Sequence, residues 1–347
     1  MFSPTLIAGS YPPAEYDADI IILMHNRLAE TIAATASALR QQNISLHVSV
    51  LDQGSSAEAR AAFIAAFRHS PRFGYYAAEK NLGVGGGRNF LSNLGAGACI
   101  VALDNDAVFA DALVVSRAHA LFRESPQLGA IGFKILARDG IHLDEFSWGY
   151  PQGLKHAAHG NFAATTFVGA GHAIRRTAWT QAGGYDADLF FTWEEYDFSL
   201  RAIALGWSIL YAGSLAVIHK VSPEARISWH SERMRLFVRN RLIIARKWNI
   251  PWLHLLPRIA GYLLKAKRNR HLRPALSGMF EAISEDRLLF KRNMNPEMRH
   301  YIHAHESRFR GHPIRSFYRH AILEMQEDEG SASLVNNPQA TRARESA

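Results

Sequence analysis

Ala98-Cys99-Ile100-Val101-Ala102-Leu103-Asp104-Asn105-Asp106 decides how the rest of the chain is read. An unbroken apolar run of this length reads as a buried strand, and two carboxylates one residue apart close it. In extended chain before a turn, residues i and i+2 point to the same side, so Asp104 and Asp106 can converge on one point. Two like charges converging at the edge of a core are costly unless something neutralises them. A divalent cation carrying a phosphorylated ligand is the neutraliser this pattern suggests. An Asx-turn gives the same spacing, so the motif needs its neighbours to gain weight.

Working outward, strands alternate with helices. Residues 19–24 form an apolar, β-branched run followed by His25-Asn26-Arg27, and 28–41 carry Ala-rich helical spacing. Residues 46–51 are a second strand ending at Asp52-Gln53-Gly54-Ser55-Ser56, and 57–68 a second helix. Residues 75–78 suit a third strand, and a helix over 88–96 leads into the strand before Asp104. Beyond it, the patterns predict a helix over 110–124, a strand over 130–135 and a weakly periodic segment over 137–164. A strand-like run over 166–174 follows, then a helix over 193–205 stopped by Gly206, and short strands over 209–211 and 216–219. This order predicts an α/β fold whose mostly parallel sheet is flanked by helices. Ligands of such sheets bind outside the carboxyl ends of the strands. His25, Asp52, Asn81 and Asp104 all stand at such ends. The expected organisation is a flexible arm over 1–17, the sheet domain over 18–250, a helical C-terminal region over 251–326 and a disordered tail over 327–347.

The chain has 347 residues, 48% of them hydrophobic, which suffices for a sizeable core. Its net charge of +8 suits an anionic ligand or surface without choosing one. The basic residues concentrate toward the end of the chain rather than around an aromatic platform, so nucleic acid is not the expected partner. The single cysteine, Cys99, lies inside the apolar run and is read as a core residue; a reducing, cytoplasmic setting is expected. No signal peptide is expected, and no apolar run is long enough to cross a bilayer.

Four further features carry chemistry. Asp52 can accept a bond from a base N–H, while Ser55 or Ser56 caps the following helix. Asn81-Leu82-Gly83-Val84-Gly85-Gly86-Gly87-Arg88-Asn89 is a Gly-rich loop opening a helix, able to approach an anion; a plain tight turn is the alternative. Arg stands where a dinucleotide fingerprint needs Gly, and the P-loop lysine is missing. Trp193-Glu194-Glu195-Tyr196-Asp197 places three carboxylates at a helix start, which the helix dipole favours. The sharper reading makes one of them a general base beside the apolar wall of Phe190, Phe191 and Trp193. Asp197 and Arg201 are spaced i,i+4 as a structural pair, which leaves Glu195 or Glu194 for that role. His219 ends a short strand, either as a packed residue or as a third metal ligand.

With these pieces in one order, the chain resembles the inverting, nucleotide-sugar-dependent glycosyltransferases of family 2, with the GT-A fold, over roughly residues 18–250. The motifs that carry the resemblance are 20–27, 50–55, the Asn81-x-Gly83 loop ending at Asn89, and 103–106. Residues 169–176, 183–186, 190–201, 216–219 and Arg239-Asn240 complete them. The resemblance implies a Rossmann-like mixed sheet, a UDP-, dTDP- or GDP-sugar donor, and Mg²⁺ or Mn²⁺ held by Asp104, Asp106 and His219. It implies nucleotide contacts from His25, Asn26, Arg27, Asp52, Asn81, Gly83, Gly87, Arg88, Asp104 and Asn105. Glu195 falls where the family usually carries an Asp as catalytic base, a departure one methylene longer, with Glu194 and Asp197 beside it. Trp148, Gly171, His172, Trp193 and Glu194 are expected to meet a saccharide or lipid-linked acceptor. The form Trp-acid-acid-x-Asp is similar to that of rhamnosyl- and galactofuranosyltransferases.

Residues 137–164, with Asp144, Glu145, Trp148 and Tyr150, are expected to help select the acceptor, against the alternative of a surface excursion. Apolar residues over 253–264 beside Lys265-Ala266-Lys267-Arg268-Asn269-Arg270 are read first as a helix packed on the catalytic domain with a solvated basic face. Peripheral docking at the inner face of a membrane, through the apolar residues and the basic cluster together, is the alternative there. A nucleotidyltransferase of similar fold and a non-catalytic sugar-nucleotide-binding relative are the competing functions. The first would want a basic Gly-rich loop where His25-Asn26-Arg27 stands.

Overall fold

The computed structural model describes residues 4–220, 230–285 and 292–310. Contacts divide the chain into two units, one drawn from residues 1–228 and 293–309, the other from 229–292 and 310–347.

The first unit is built on a sheet of ten strands among the described residues, with helices between them. Its elements run β1 Thr5–Gly9, β2 Ala18–Met24, α1 Leu28–Leu39, β3 Leu46–Asp52, α2 Ala57–Phe67, β4 Phe73–Ala77, α3 Gly83–Leu94 and β5 Cys99–Leu103. Then come β6 Ala107–Phe109, α4 Val114–Glu124, β7 Leu128–Leu136, β8 Asn161–Ala164, β9 Gly171–Arg175, α5 Arg176–Ala182, α6 Glu194–Ala204 and β10 Ser208–His219. The spatial order is β1-β4-β3-β2-β5-β9-β7-β10-β6, with β8 also on β10. Strands β2, β3, β4, β5, β7 and β10 run one way and the other four run against them. This is the mixed, mostly parallel sheet flanked by helices that the strand–helix alternation predicts. Both faces are covered, which is why the central strands are apolar without alternation: every residue of β3 and β5 is buried. Cys99 is enclosed in β5, and burial pushes its thiol up to about 12.

Three differences from the sequence reading have physical causes. The arm over 1–17 contains β1, which pairs antiparallel with β4 and ties residues 5–9 to the sheet edge. The short strands over 209–211 and 216–219 are one strand, β10, whose register on β7 shifts between Ala212 and Ala216. The irregularity breaks the side-chain period that sequence reading depends on. The segment over 137–164 is folded: two short 3-10 turns, Glu145–Ser147 and Gln152–Ala157, lead into β8.

One further helix, α10 Pro296–His305, lies in the first unit. The Tyr301 hydroxyl takes the Ile209 N–H at 2.9 Å and donates to the Ala164 carbonyl at 3.0 Å.

The second unit contains α7 Ser231–Lys247, α8 Trp252–Arg268 and α9 Leu272–Ser284. The first of these helices, placed with the sheet domain by sequence, groups here because α9 turns a small-residue stripe, Ala275, Gly278 and Ala282, inward. A Cβ at Gly278 would stand 2.2 Å from the Arg235 carbonyl oxygen, so only glycine permits the approach to α7. The tail over 327–347 lies outside the described residues.

Candidate active site

Parallel pairing sets the ends of β2, β3 and β5 side by side, and their loops build one half of the site. After β2, Asn26 and Arg27 take left-handed backbone at φ 56° and 50°. The Asn26 N–H donates to Ser55 Oγ at 2.8 Å and the Ser56 N–H to Asn26 Oδ1 at 3.3 Å, which ties two loops together. The His25 ring sits 3.0 Å from the Gln53 carbonyl oxygen. Asp52 is fully buried; it accepts from the Ser55 N–H at 2.9 Å and pairs with Arg60. The chain therefore gives this carboxylate protein partners, where sequence offered it to a nucleotide base. Ser56 caps α2 through the Ala59 N–H, as expected.

The Gly-rich run differs from its expected use. Residues 83–87 lie inside the first turns of α3, and Gly83, Gly85 and Gly87 are buried against protein. A Cβ at Gly83 would stand 2.4 Å from the Phe190 carbonyl oxygen, and one at Gly87 2.9 Å from Leu23. The Val84 N–H donates to that Phe190 carbonyl at 2.7 Å, and Asn81 Oδ1 takes the Gly83 N–H at 2.8 Å. The glycines let α3 close on the 185–190 loop; they do not face open space.

That close packing delivers Arg88 to the centre. Its guanidinium, only 3% exposed, donates from Nη2 to Asp104 Oδ1 and from Nη1 to Glu195 Oε1, each at 2.8 Å, and from Nη2 to the Gly169 carbonyl at 2.9 Å. Burial works against its charge, but Asp104, Glu195 and Glu194 around it hold the proton more tightly still. A single buried cation thus joins the two acidic motifs that sequence had placed 90 residues apart.

Asp106 closes a second network. Arg27 pairs with its Oδ2, and His219 Nε2 lies 3.4 Å from its Oδ1. The antiparallel pairing of β6 with β10 sets His219 opposite Ala107 and so beside Asp106. The other His219 nitrogen is 3.0 Å from Asp144 Oδ2, an oxygen that also accepts from Ser147 Oγ at 2.7 Å. Burial alone would lower the His219 pKa; hydrogen bonds to Asp106 and Asp144 outweigh it and raise it to about 9. Asn105 is half-buried at the turn between the two aspartates.

Glu194 and Glu195 open α6 after a strained approach: Phe190, Thr192 and Trp193 all hold positive φ, at 62°, 71° and 71°. Glu194 is 3% exposed, and its Oε2 has no hydrogen-bond partner. Burial, reinforced by the Glu195 charge, raises its pKa well above the ordinary value. Burial raises Glu195 as well, opposed by Arg88. Asp197 pairs with Arg201 at 2.8 Å, the expected structural pair, which removes it from the candidates for a base.

Two residues expected at the acceptor are enclosed. Gly171 and His172 lie in β9, between β5 and β7, and both are buried. His172 Nε2 is 2.8 Å from the Tyr185 hydroxyl, and burial holds its pKa well below the usual value, so it stays neutral. Trp148 is half-buried in an aromatic cluster with Tyr150, Phe162 and Tyr211. Trp193 is half-buried, its ring edge-on to Tyr196. Sequence reasoning did not find the Asp144–His219 contact or the double role of Arg88; neither leaves a short-range signal.

Hard carboxylate oxygens at the end of β5 suit Mg²⁺ or Mn²⁺, so the donor set fits such an ion. The chain also brings its own cation to each carboxylate, Arg88 to Asp104 and Arg27 to Asp106. Among the described residues no three His, Cys, Asp or Glu side chains already stand at metal-binding spacing. An imidazolium cannot ligate, so His219 would join a metal only by losing its proton.

The comparisons with known proteins concern the fold that carries this site. Residues 19–181 match the model for Glycosyl transferase family 2. That region holds Asp52, Arg88, Asp104 and Asp106, while Glu194, Glu195 and His219 follow it. An uncharacterized protein of Haemophilus influenzae is 26% identical over 168 residues, 47% of this chain and 90% of its own length. Among solved structures, GalNAc-T7 with UDP, GalNAc and Mn²⁺ aligns at TM-score 0.57 and 13% identity over 78% of this chain; the match spans only 56% of the GalNAc-T7 chain. S. aureus TarS 1–349 in complex with UDP-GlcNAc aligns at 0.52 and 13% identity, over 78% of this chain and 82% of that one. The mannosyltransferase PcManGT from Pyrobaculum calidifontis, with GDP-Man and Mn²⁺, aligns at 0.50 and 15% identity, over 96% and 85%. The shared feature is the fold, GT-A.

Proposed function

We propose that the chain transfers a sugar from a nucleoside-diphosphate sugar to an acceptor hydroxyl with inversion. The observation that carries this is Arg88, which sets an acidic motif suited to a metal diphosphate and a buried carboxylate run around one point. The family 2 match and the Mn²⁺- and nucleotide-bearing fold relatives support it.

In this reading Asp104 and Asp106 would hold Mg²⁺ or Mn²⁺, an ion that would supply positive charge against the leaving diphosphate. Arg27 and Arg88, already beside those carboxylates, add positive charge at the same place. Glu195 accepts the proton of the acceptor hydroxyl as its oxygen bonds to the anomeric carbon. The bond from that carbon to the diphosphate oxygen breaks, and the nucleoside diphosphate leaves with the electron pair. One displacement inverts the centre. A raised pKa suits a base working near neutrality, and Glu194, pushed further toward its neutral form, keeps a second negative charge from the site.

The Trp193-Glu194-Glu195-x-Asp197 form favours a rhamnosyl- or galactofuranosyl-type donor. Titrating UDP-, GDP- and dTDP-sugars with Mn²⁺ and following nucleotide release tests the proposal. Metal-dependent release with at least one donor is expected. Binding of a sugar nucleotide without release, in the presence of glycan and lipid-linked acceptors, would make the chain a non-catalytic relative. Pyrophosphate release from a nucleoside triphosphate would make it a nucleotidyltransferase.

A further inference from the structure

The second unit presents a patterned apolar surface. Eight of the fourteen exposed large hydrophobic side chains among the described residues fall on α8 and α9, so the exposure is concentrated rather than scattered. On α8, Leu253, Leu256 and Leu264 recur at helical spacing, with Leu253 80% exposed. On α9, Leu272, Leu276, Phe280 and Ile283 do the same, with Phe280 71% exposed. Residues spaced three and four apart share one helix face. The opposite faces are the buried ones, Leu255 and Ala266 on α8 and Ala275, Gly278 and Ala282 on α9.

The charge on the same stretch has one sign. Residues 252–284 contain six Lys and Arg and a single acid, Glu281, which is paired with Arg235. Lys265, Lys267, Arg270 and Arg273 are exposed at and around the turn between the helices.

We infer that α8 and α9 are a docking surface for an anionic lipid bilayer, seated by their apolar stripes in the headgroup region with the basic residues on the lipid phosphates. Charge complementarity selects this occupant. A second copy of the chain would set two positive surfaces against each other. Nucleic acid would satisfy the charge and leave the leucines and Phe280 in water. An interfacial helix needs both features together. No described helix is long and apolar enough to cross a membrane, so the contact is peripheral. Such docking would gather the chain where a lipid-linked acceptor resides.

The experiment is co-sedimentation of the full chain with vesicles of phosphatidylcholine alone or with about a third phosphatidylglycerol. The partition coefficient is expected to rise at least about tenfold on the anionic vesicles and to fall again in about 0.5 M salt. Leu253→Glu with Phe280→Glu, and separately Lys265→Gln with Lys267→Gln, should each weaken binding roughly tenfold while the melting temperature stays within a few degrees, since all four side chains are exposed. Equal binding to both vesicle types, no binding, or binding that ignores both variants overturns the inference. So does a dimer in sedimentation velocity that Leu253→Glu with Phe280→Glu dissolves, or RNA binding that this variant leaves intact, where anionic vesicles fail to bind. The readout uses neither donor nor transfer, so its failure leaves the transferase reading standing, and the reverse holds.

Discussion

Asp106, just after β5, and Glu194, at the start of α6, are both buried carboxylates, and they are treated in opposite ways. Asp106 is paired at both oxygens: Arg27 takes one and His219 stands at the other, itself anchored by Asp144. Glu194 keeps an oxygen with no partner and is pushed toward its neutral form. A buried carboxylate paired with cations stays ionised and fixed in place, and one with an unsatisfied oxygen in a native site calls for an explanation. In the proposed mechanism this difference divides the labour: the Asp104–Asp106 side binds charge, and the Glu194–Glu195 side handles the proton. Arg88 is the hinge of the comparison because it touches both sides.

The strongest way to break this division is at Glu195. Glu195→Gln should lower the transfer rate about a thousandfold with donor affinity unchanged, as loss of a general base does. Arg88→Ala comes next. It strands two carboxylates beside a buried cavity and should cost about 3–5 kcal/mol of stability in denaturant unfolding, whereas Arg88→Lys, which keeps the charge, should cost distinctly less.

Asp144→Asn removes one of the three anions, Asp106, Asp144 and Asp104, that raise His219. Its pKa, about 9 in the parent, should move toward the ordinary imidazole value of about 6.5, read by NMR titration. The sign follows from linkage: with a folded pKa above the unfolded one, the stabilisation from His219 is full below about pH 6.5 and lost as pH rises through about 9. The variant should flatten that alkaline loss. The smallest effect is expected at Glu194→Gln. If Glu194 is already neutral at pH 7, an isosteric neutral side chain should shift stability by less than about 1 kcal/mol. A large loss there would mean Glu194 is ionised and the division is wrongly drawn.

Much of this was legible in the sequence because it is local. Apolar runs of five to seven residues gave the central strands, and Asp104-x-Asp106 and Trp193 to Asp197 stood out as short motifs. The i,i+4 spacing of Asp197 and Arg201 foretold their pair. What the sequence hid depends on distance or on backbone approach. Asp144 meets His219 across 75 residues, and nothing near either one announces the partner. The glycines at 83–87 looked like an anion cradle because the signature of glycine is close approach. Whether a ligand or the Phe190 loop makes that approach is a tertiary fact. Asp52 likewise reads as available in sequence, whereas Arg60, in the first turn of the next helix, pairs with it. His172 and Gly171 looked like site residues because the pairing order that buries β9 between β5 and β7 is not written in the strand itself.

In the proposed mechanism one carboxylate, Glu195, takes the proton while the aspartate side holds the donor. The most direct measurement pairs calorimetric donor binding with nucleotide release for the parent and Glu195→Gln, in the presence of Mn²⁺ and acceptor. Equal donor affinity and release lowered about a thousandfold are expected in the variant. Release within about threefold of the parent would contradict this mechanism and move the base to Glu194.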